Sequence, residues 1–158
     1  MYCKVKTITE KDVKTGVLRV RSDGVFEAFR AMVPLVISTE ESGIVVPAGQ
    51  VVARTLSVGG EGDFVCDRIS WVCDAPEDIV IQITDNATGR QFSAINKINL
   101  ASLSDIPVGG APNKIQGIIE LSEPHKFLRN GSILVELKNI GTANRVVWLS
   151  FIGVRILK

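Results

Sequence analysis

The chain has little of what most chemical sites are built from. One histidine, His125, three cysteines, two tryptophans and one tyrosine stand among 158 residues. A single histidine cannot assemble the histidine-rich metal site of a cupin-like enzyme. Cys3, Cys66 and Cys73 contain no CxxC and do not form a disulfide framework. Cys66 and Cys73 lie an odd number of positions apart, so one continuous strand turns them to opposite faces, which argues against a shared metal. Both read as small buried apolar residues of a reducing compartment. Tyr2, Trp71 and Trp148 are too few for a nucleic-acid stacking platform or an aromatic sugar-binding strip, and the two tryptophans, set in apolar runs, are expected in the core. The 18 basic and 17 acidic side chains leave a net charge of +1, so no global field recruits nucleic acid or an anionic membrane. No apolar run approaches the ~18–20 residues that span a bilayer, and Met1–Lys6 has no apolar stretch of a secretory signal. GxSxG, HExxH and P-loop patterns are absent.

What the chain does have is alternation. Ile79, Ile81 and Ile83 alternate with Val80, Gln82 and Thr84, the period-two pattern of a half-buried strand. Asp85–Gly89 then collects turn formers before Arg90–Ala94 resumes the pattern. Further strands are expected at Val17–Arg21, Val51–Val58, across Phe64–Cys73, at Ile118–Leu121, Ile133–Lys138 and Arg145–Leu157. Residues 25–37 fit either a short helix ended by Pro34 or an extended run broken there, and the strand-like neighbours favour the second. Turns are marked by Glu40–Gly43, by Pro47-Ala48-Gly49, by Gly59–Asp63 and by Asn130-Gly131. Ile133–Lys138 and Arg145–Leu157, joined by Asn139–Asn144, read as a closing hairpin whose second strand is apolar on both faces, hence central or set against a partner.

About eight or nine short strands with at most one short helix define an all-β chain, an antiparallel β-sandwich of jelly-roll type, with a Greek-key sandwich as the alternative. Residues 1–16 are expected as an N-terminal arm or edge strand, and 17–158 as one sandwich domain. Asp63, Asp67, Asp74, Glu77, Asp78 and Asp85 cluster in sequence. A glycosidase pair or a Ca²⁺ site needs such acids, but no DxDxDG spacing is present, and acids flanking strands read as solvated strand ends. His125, in the connector Glu123–Phe127, reads as a loop histidine. Asn86-Ala87-Thr88 and Asn130-Gly131-Ser132 match the glycosylation pattern but are read as turns. No catalytic, cofactor-binding or metal residue is assigned.

From Gly62 onward the order of features resembles small tailed-phage virion proteins with a jelly-roll or related fold. The resemblance is carried by DFVCDRIS (63–70), IVIQITDNATGRQFS (79–93) and SILVELKN with NRVVWLSFIGVRIL (132–157). It implies a structural subunit of a virus particle, made in the host cytoplasm: a capsid decoration or cement protein, or a head- or tail-associated subunit. Its partners would be the major capsid protein or other head or tail subunits and further copies of itself, with no cofactor, nucleic acid or membrane. The mean hydropathy of +0.25, high for a chain without a membrane span, points the same way, to outer surface buried against other subunits. Interface candidates are Val5, Ile8 and Val13 on the arm, Ile106, Val108 and Ile115 in the long segment 95–117, and Val147, Leu149 and Phe151 on the last strand. The competing readings are a carbohydrate- or receptor-binding sandwich, with its site in the loops near Asp63 or Asp85, and a small jelly-roll enzyme.

Overall fold

The computed structural model describes residues 32–92, 97–103 and 114–157 in full, and the backbone of 17–22, 25–30 and 108–109. The strands are β1 (Val17–Ser22), β2 (Val25–Arg30), β3 (Met32–Ser38), β4 (Ile44–Val46), β5 (Val51–Ser57), β6 (Gly62–Cys73), β7 (Ile79–Asp85), β8 (Ile98–Asn99), β9 (Val108–Gly109), β10 (Ile115–Phe127), β11 (Ser132–Asn139) and β12 (Arg145–Leu157). Short 3-10 turns occupy Pro76–Asp78 and Leu100–Leu103. Val25–Arg30 and Met32–Ser38 are strands, as the extended reading expected, but β3 continues through Pro34 instead of breaking there, and β1 and β2 pair as a separate two-stranded ribbon. Pro34 is tolerated because β3 is an edge strand, where a missing N–H costs no ladder bond.

Two antiparallel sheets make the sandwich. The first has the order β3-β12-β6-β10-β9, with β4 also on β12; the second has the order β5-β11-β7-β8. β4 pairs with Arg145–Val147 and β3 with Ser150–Ile156, so the two are halves of one edge strand interrupted by the Glu40–Gly43 turn. That edge strand pairs with β12, β5 with β11, β6 with β10 and β7 with β8. These nested pairs are one long antiparallel hairpin folded over on itself, which is the jelly roll.

This nesting revises the expected closing hairpin. β11 pairs with β5 and β7 in the second sheet, while β12 lies in the first, so residues 139–144 cross between sheets. Asn139 holds that crossing: its side-chain amide donates to the Val46 and Ala143 carbonyls, and its oxygen accepts from the Gly141 amide. The Asn130-Gly131 turn likewise joins the sheets, with Asn130 in the left-handed region at φ 60°.

A bulge in β6 positions the inner layer. Cys66 faces Gly153 and Arg68 faces Ile152, leaving Asp67 without a partner on β12. On the other side Leu121–Pro124 bow away from it, so the expected connector 123–127 is instead the end of strand β10. The extra residue reverses the phase of the strand, so Phe64 and Cys66 point inward before it and Ile69, Trp71 and Cys73 after it. Both cysteines therefore face the same core, against the opposite-face expectation for an unbroken strand. Gly153 is required there, because a Cβ would run into the Val65 carbonyl oxygen.

Candidate assembly surface

Cross-strand partners project to the same side of a sheet, so register defines each outer face row by row. On the first sheet the rows are Val45–Val146, Trp148–Val72–Gln116, Ser38–Ser150–Ser70–Ile118, Val36–Ile152–Arg68–Glu120 and Pro34–Val154–Val65–Lys126, followed by Met32 beside Ile156. Met32 is 65% exposed, Val36 54%, Val45 51% and Ile118 37%, which places large apolar groups in solvent across the width of the sheet. Among the outward strand positions charge lies at Arg68, Glu120 and Lys126 on the β6–β10 border, and the Lys114 ammonium reaches over Trp148 on the β12 side. A row of three serines crosses the middle, with the Ser38 and Ser150 hydroxyls 3.0 Å apart.

Trp148 belongs to this face. It is half-buried rather than in the core. Its indole N–H donates to the Glu41 carbonyl at 3.1 Å, and the Lys114 ammonium stands 4.2 Å over the ring. The ring covers Gly43, whose φ of +77° and lack of a side chain leave it room. Trp71 is in the core as expected, its ring laid against Gly117 of β10.

The outer face of the second sheet is different. Its rows are Thr55–Leu134–Thr84, Ala53–Glu136–Gln82 and Val51–Lys138–Val80, with Ser57 beside Ser132. Lys97 pairs with Glu136 at 3.9 Å.

Of the residues expected at an interface, Val147, Leu149 and Phe151 lie in the core, no more than 1% exposed. The reason is the alternation of β12: the strand is central, with one side filling the sandwich, and only its other side (Val146, Trp148, Ile152, Val154, Ile156) meets the exterior. Ile115, at the start of β10, is exposed beside Cys73 and Gly109. Val108 is in β9, and Val5, Ile8, Val13 and Ile106 lie outside the described residues. The segment 97–103, expected in a free contact loop, is tied down by fully buried Leu100 and by Asn99, which donates to the Glu77 carbonyl and accepts from the Ala101 amide.

The acids and the histidine serve the scaffold. His125 is buried, not a loop residue, and packs edge-on to Phe92 and Phe127 at 4.6 and 4.7 Å between centroids. Its Nε2 lies 3.0 Å from Asp85 Oδ2. A carboxylate only accepts, so Nε2 carries the proton. The pair joins β10 of the first sheet to β7 of the second through the interior. Asp85 also accepts from the Ala87 amide and the Thr88 hydroxyl. Burial opposes its charge, but the hydrogen bonds from His125, Thr88 and Ala87 outweigh it and hold the carboxyl below its ordinary value of 3.8. Asp63, also buried, accepts from the Arg129 amide. Asp74 and Asp78 both bind Arg145. Asp63 and Asp85 are thus internal, not solvated strand ends. Burial pushes the thiols of Cys66 and Cys73 up to about 12, so both stay protonated and unreactive near neutrality. Among the described residues no three potential ligands group as a metal site, and no helix is long and apolar enough to cross a membrane.

Two hollows complete the surface. One of about 50 Å³ is wholly apolar, lined by Ile69, Ile81, Ile83, Phe92, Leu103, Ile119 and Leu121. The other, of about 290 Å³, lies along the open side of the sandwich between the β3/β4 and β5 edges, lined by Ser38, Thr39, Glu40, Arg54 and Thr55 over Ile44 and Leu56.

No protein-family model matches the chain, and no curated protein matches it in sequence. Among solved structures it is similar to a variant of the family 29 carbohydrate-binding module CBM29-2, at TM-score 0.37 and 11% identity over 89% of this chain and 76% of that one. It is similar to the virus-like particle protein of Macrobrachium rosenbergii extra small virus, at TM-score 0.30 and 13% identity over 76% and 77% of the two chains. A β-porphyranase of glycoside hydrolase family 86 from Bacteroides plebeius aligns at TM-score 0.38 and 15% identity, over 80% of this chain and 21% of that one. Scores of this size assign neither ligand nor partner to the chain.

Proposed function

We propose that this chain is a non-enzymatic structural subunit of a tailed-phage particle, a capsid decoration or cement protein that works by burying the outer face of its first sheet against neighbouring virion subunits. The observation that carries the reading is that face, with Met32, Val36, Val45 and Ile118 in solvent beside half-buried Trp148, Ile152 and Val154. Contiguous exposed apolar surface of this extent marks an interaction site on a folded domain. The phage-like pattern of 63–70, 79–93 and 132–157 supports the virion setting. The roles of the buried acids, His125 and the two buried thiols in the scaffold fit a protein that binds rather than reacts. The N-terminal arm, residues 1–16, extends the reading as a strand lent to a neighbour.

The test is sedimentation of the chain with intact particles of the virus that encodes it. The wild type is expected to pellet with them, and the Val36→Glu/Ile152→Glu variant to stay in the supernatant. A folded wild type absent from the particles sinks the reading. A second reading, a carbohydrate- or receptor-binding module, is favoured by the polar groove beside Arg54 and Glu40, whose side chains pair at 3.1 Å. It predicts glycan binding that is lost in Arg54→Ala and indifferent to Val36→Glu.

A further inference from the structure

We infer that the occupant of the first-sheet face is a second copy of this chain, packed face to face about a two-fold axis that follows the serine row Ser38–Ser150–Ser70. The inference rests on the assembly reading, whose contact surface it assigns to a specific partner.

Size is the first support. β12 is 13 residues long. At about 3.3 Å per residue and about 4.8 Å between strands, four strands cover on the order of 700 Å². A stable interface buries about 800 Å² on each side, so this one face comes close to what a dimer needs.

Shape is the second. The face is the outer side of a sheet whose core strands are β3, β12, β6 and β10. Flat sheet faces pack on other sheet faces at about 10 Å with their strands nearly aligned. The second sheet interrupts its outward Leu134, Val51 and Val80 with Glu136, Lys138 and Gln82, so the first sheet of another copy offers the more apolar match.

The two halves of the face are the third. On one side of the serine row stand Trp148, Val72, Val146 and Val45, with Gln116 at the β10 end; on the other stand Ile152, Val36, Val154 and Pro34, with Arg68, Glu120 and Lys126 at the β6–β10 end. A two-fold along the row lays each half over the other, so the Trp148 ring of one copy, with the Lys114 side chain across it, is set against the Ile152 side of its partner. The small serines allow close approach along the axis. An isologous contact of this kind closes at two copies.

The experiment uses the full chain at micromolar concentration. Light scattering is expected to give twice 17.1 kDa, and Val36→Glu/Ile152→Glu is expected to give the monomer mass with an unchanged circular dichroism spectrum. Ser150→Cys, made with Cys3→Ser, is expected to give a covalent dimer with a short bifunctional thiol crosslinker, since the two Ser150 positions face each other across the axis at the sheet separation of about 10 Å, too far for a direct disulfide. Should Ile152→Glu fail to fold, Val36→Lys/Ile118→Lys reads the same contact from two solvent-exposed positions. A monomeric wild type overturns the inference, as does a dimer that survives these charges and leaves the thiol introduced by Ser150→Cys uncoupled. If such a monomer still pellets with particles, the assembly reading stands and the occupant is another virion protein. If the chain dimerises through this face but never pellets, the assembly reading is the one that fails.

Discussion

The two outer faces of this sandwich are built from the same kind of strand and differ in how far apolar residues fill them. On the second sheet, positions facing away from the core hold Thr55, Thr84, Gln82, Glu136 and Lys138 beside Ala53, Val51, Val80 and Leu134. On the first they hold Val36, Val45, Val146, Trp148, Ile152 and Val154. Alternation with a polar outer side is what an antiparallel sheet needs when one face meets water. The second sheet follows that rule and the first departs from it along β3, β4 and β12. Fold stability does not demand the departure, since the inner residues of both sheets already form one continuous core. What sets the first face apart is therefore its exterior, and the experiments with the largest expected effects concern what the two sheets share and where they differ.

The largest effect is expected where the faces are coupled. Asp85 and His125 link the sheets through the interior, and leaving a buried donor without its acceptor costs about 1–3 kcal/mol, more where the lost acceptor is charged. Asp85→Ala is expected to lower unfolding stability by about 3 kcal/mol in urea, because His125, the Ala87 amide and the Thr88 hydroxyl all lose their acceptor. The acid limb carries a sign. The folded-state value of Asp85 lies below the ordinary 3.8, so its stabilisation is fully present above about pH 4 and is lost as pH falls through the depressed value. Asp85→Asn should flatten that part of the acid-unfolding curve. An unaltered curve would mean that the carboxylate does not hold the sheets together.

The fold was legible in the sequence because period-two alternation and turn chemistry are local. β5, β7, β11 and β12 follow directly from it, and so do the turns at Glu40–Gly43, Pro47-Ala48-Gly49 and Asn130-Gly131. Pairing was not legible, because two strands separated by a short loop can lie in one sheet or face each other across a core. Residues 139–144 take the second course, through the side chain of Asn139. The bulge at Asp67 was equally hidden. One unpaired residue reverses which side of β6 faces inward, bringing together two cysteines that an unbroken strand would separate. His125 was misplaced because its partner, Asp85, is 40 positions away and only the β7–β10 geometry brings them within 3.0 Å. On β12 the sequence displayed two apolar sides. Which one filled the core depended on neighbours it could not name, and the outward candidates Val147, Leu149 and Phe151 were the inward ones.

A smaller change sharpens the contrast without adding charge. Trp148→Ala removes the largest group of the first face, its hydrogen bond to Glu41 and its contact with Lys114. A fully buried tryptophan costs about 3–5 kcal/mol on truncation; half-buried Trp148 is expected to cost about 2 kcal/mol in chemical denaturation. Trp148→Phe should recover more than half of that, since the ring still covers Gly43 while the indole N–H is lost. If stability is unchanged in Trp148→Ala but the solution mass falls, the ring serves only the contact between copies. If stability falls and the mass does not, its role is to hold the Glu40–Gly43 turn, and Ile152 and Val36 carry the contact.

The smallest effect belongs to the polar face, and its smallness is the point. Lys97 and Glu136 stand 3.9 Å apart with roughly a quarter and a third of their side-chain surfaces exposed. A pair at that distance and in that much solvent contributes a few tenths of a kcal/mol, because water screens the attraction and ordering two long side chains offsets it. Glu136→Gln is therefore expected to change the unfolding free energy in urea by less than about 0.5 kcal/mol and to leave solution mass and particle binding as they were. Placing a charge on the first face, by Val36→Glu, is expected to disrupt both. Equal sensitivity of the two faces would mean that the second sheet is also covered in the assembly, and that its threonines, Gln82 and Glu136 form the polar half of a two-sided contact rather than a solvated exterior.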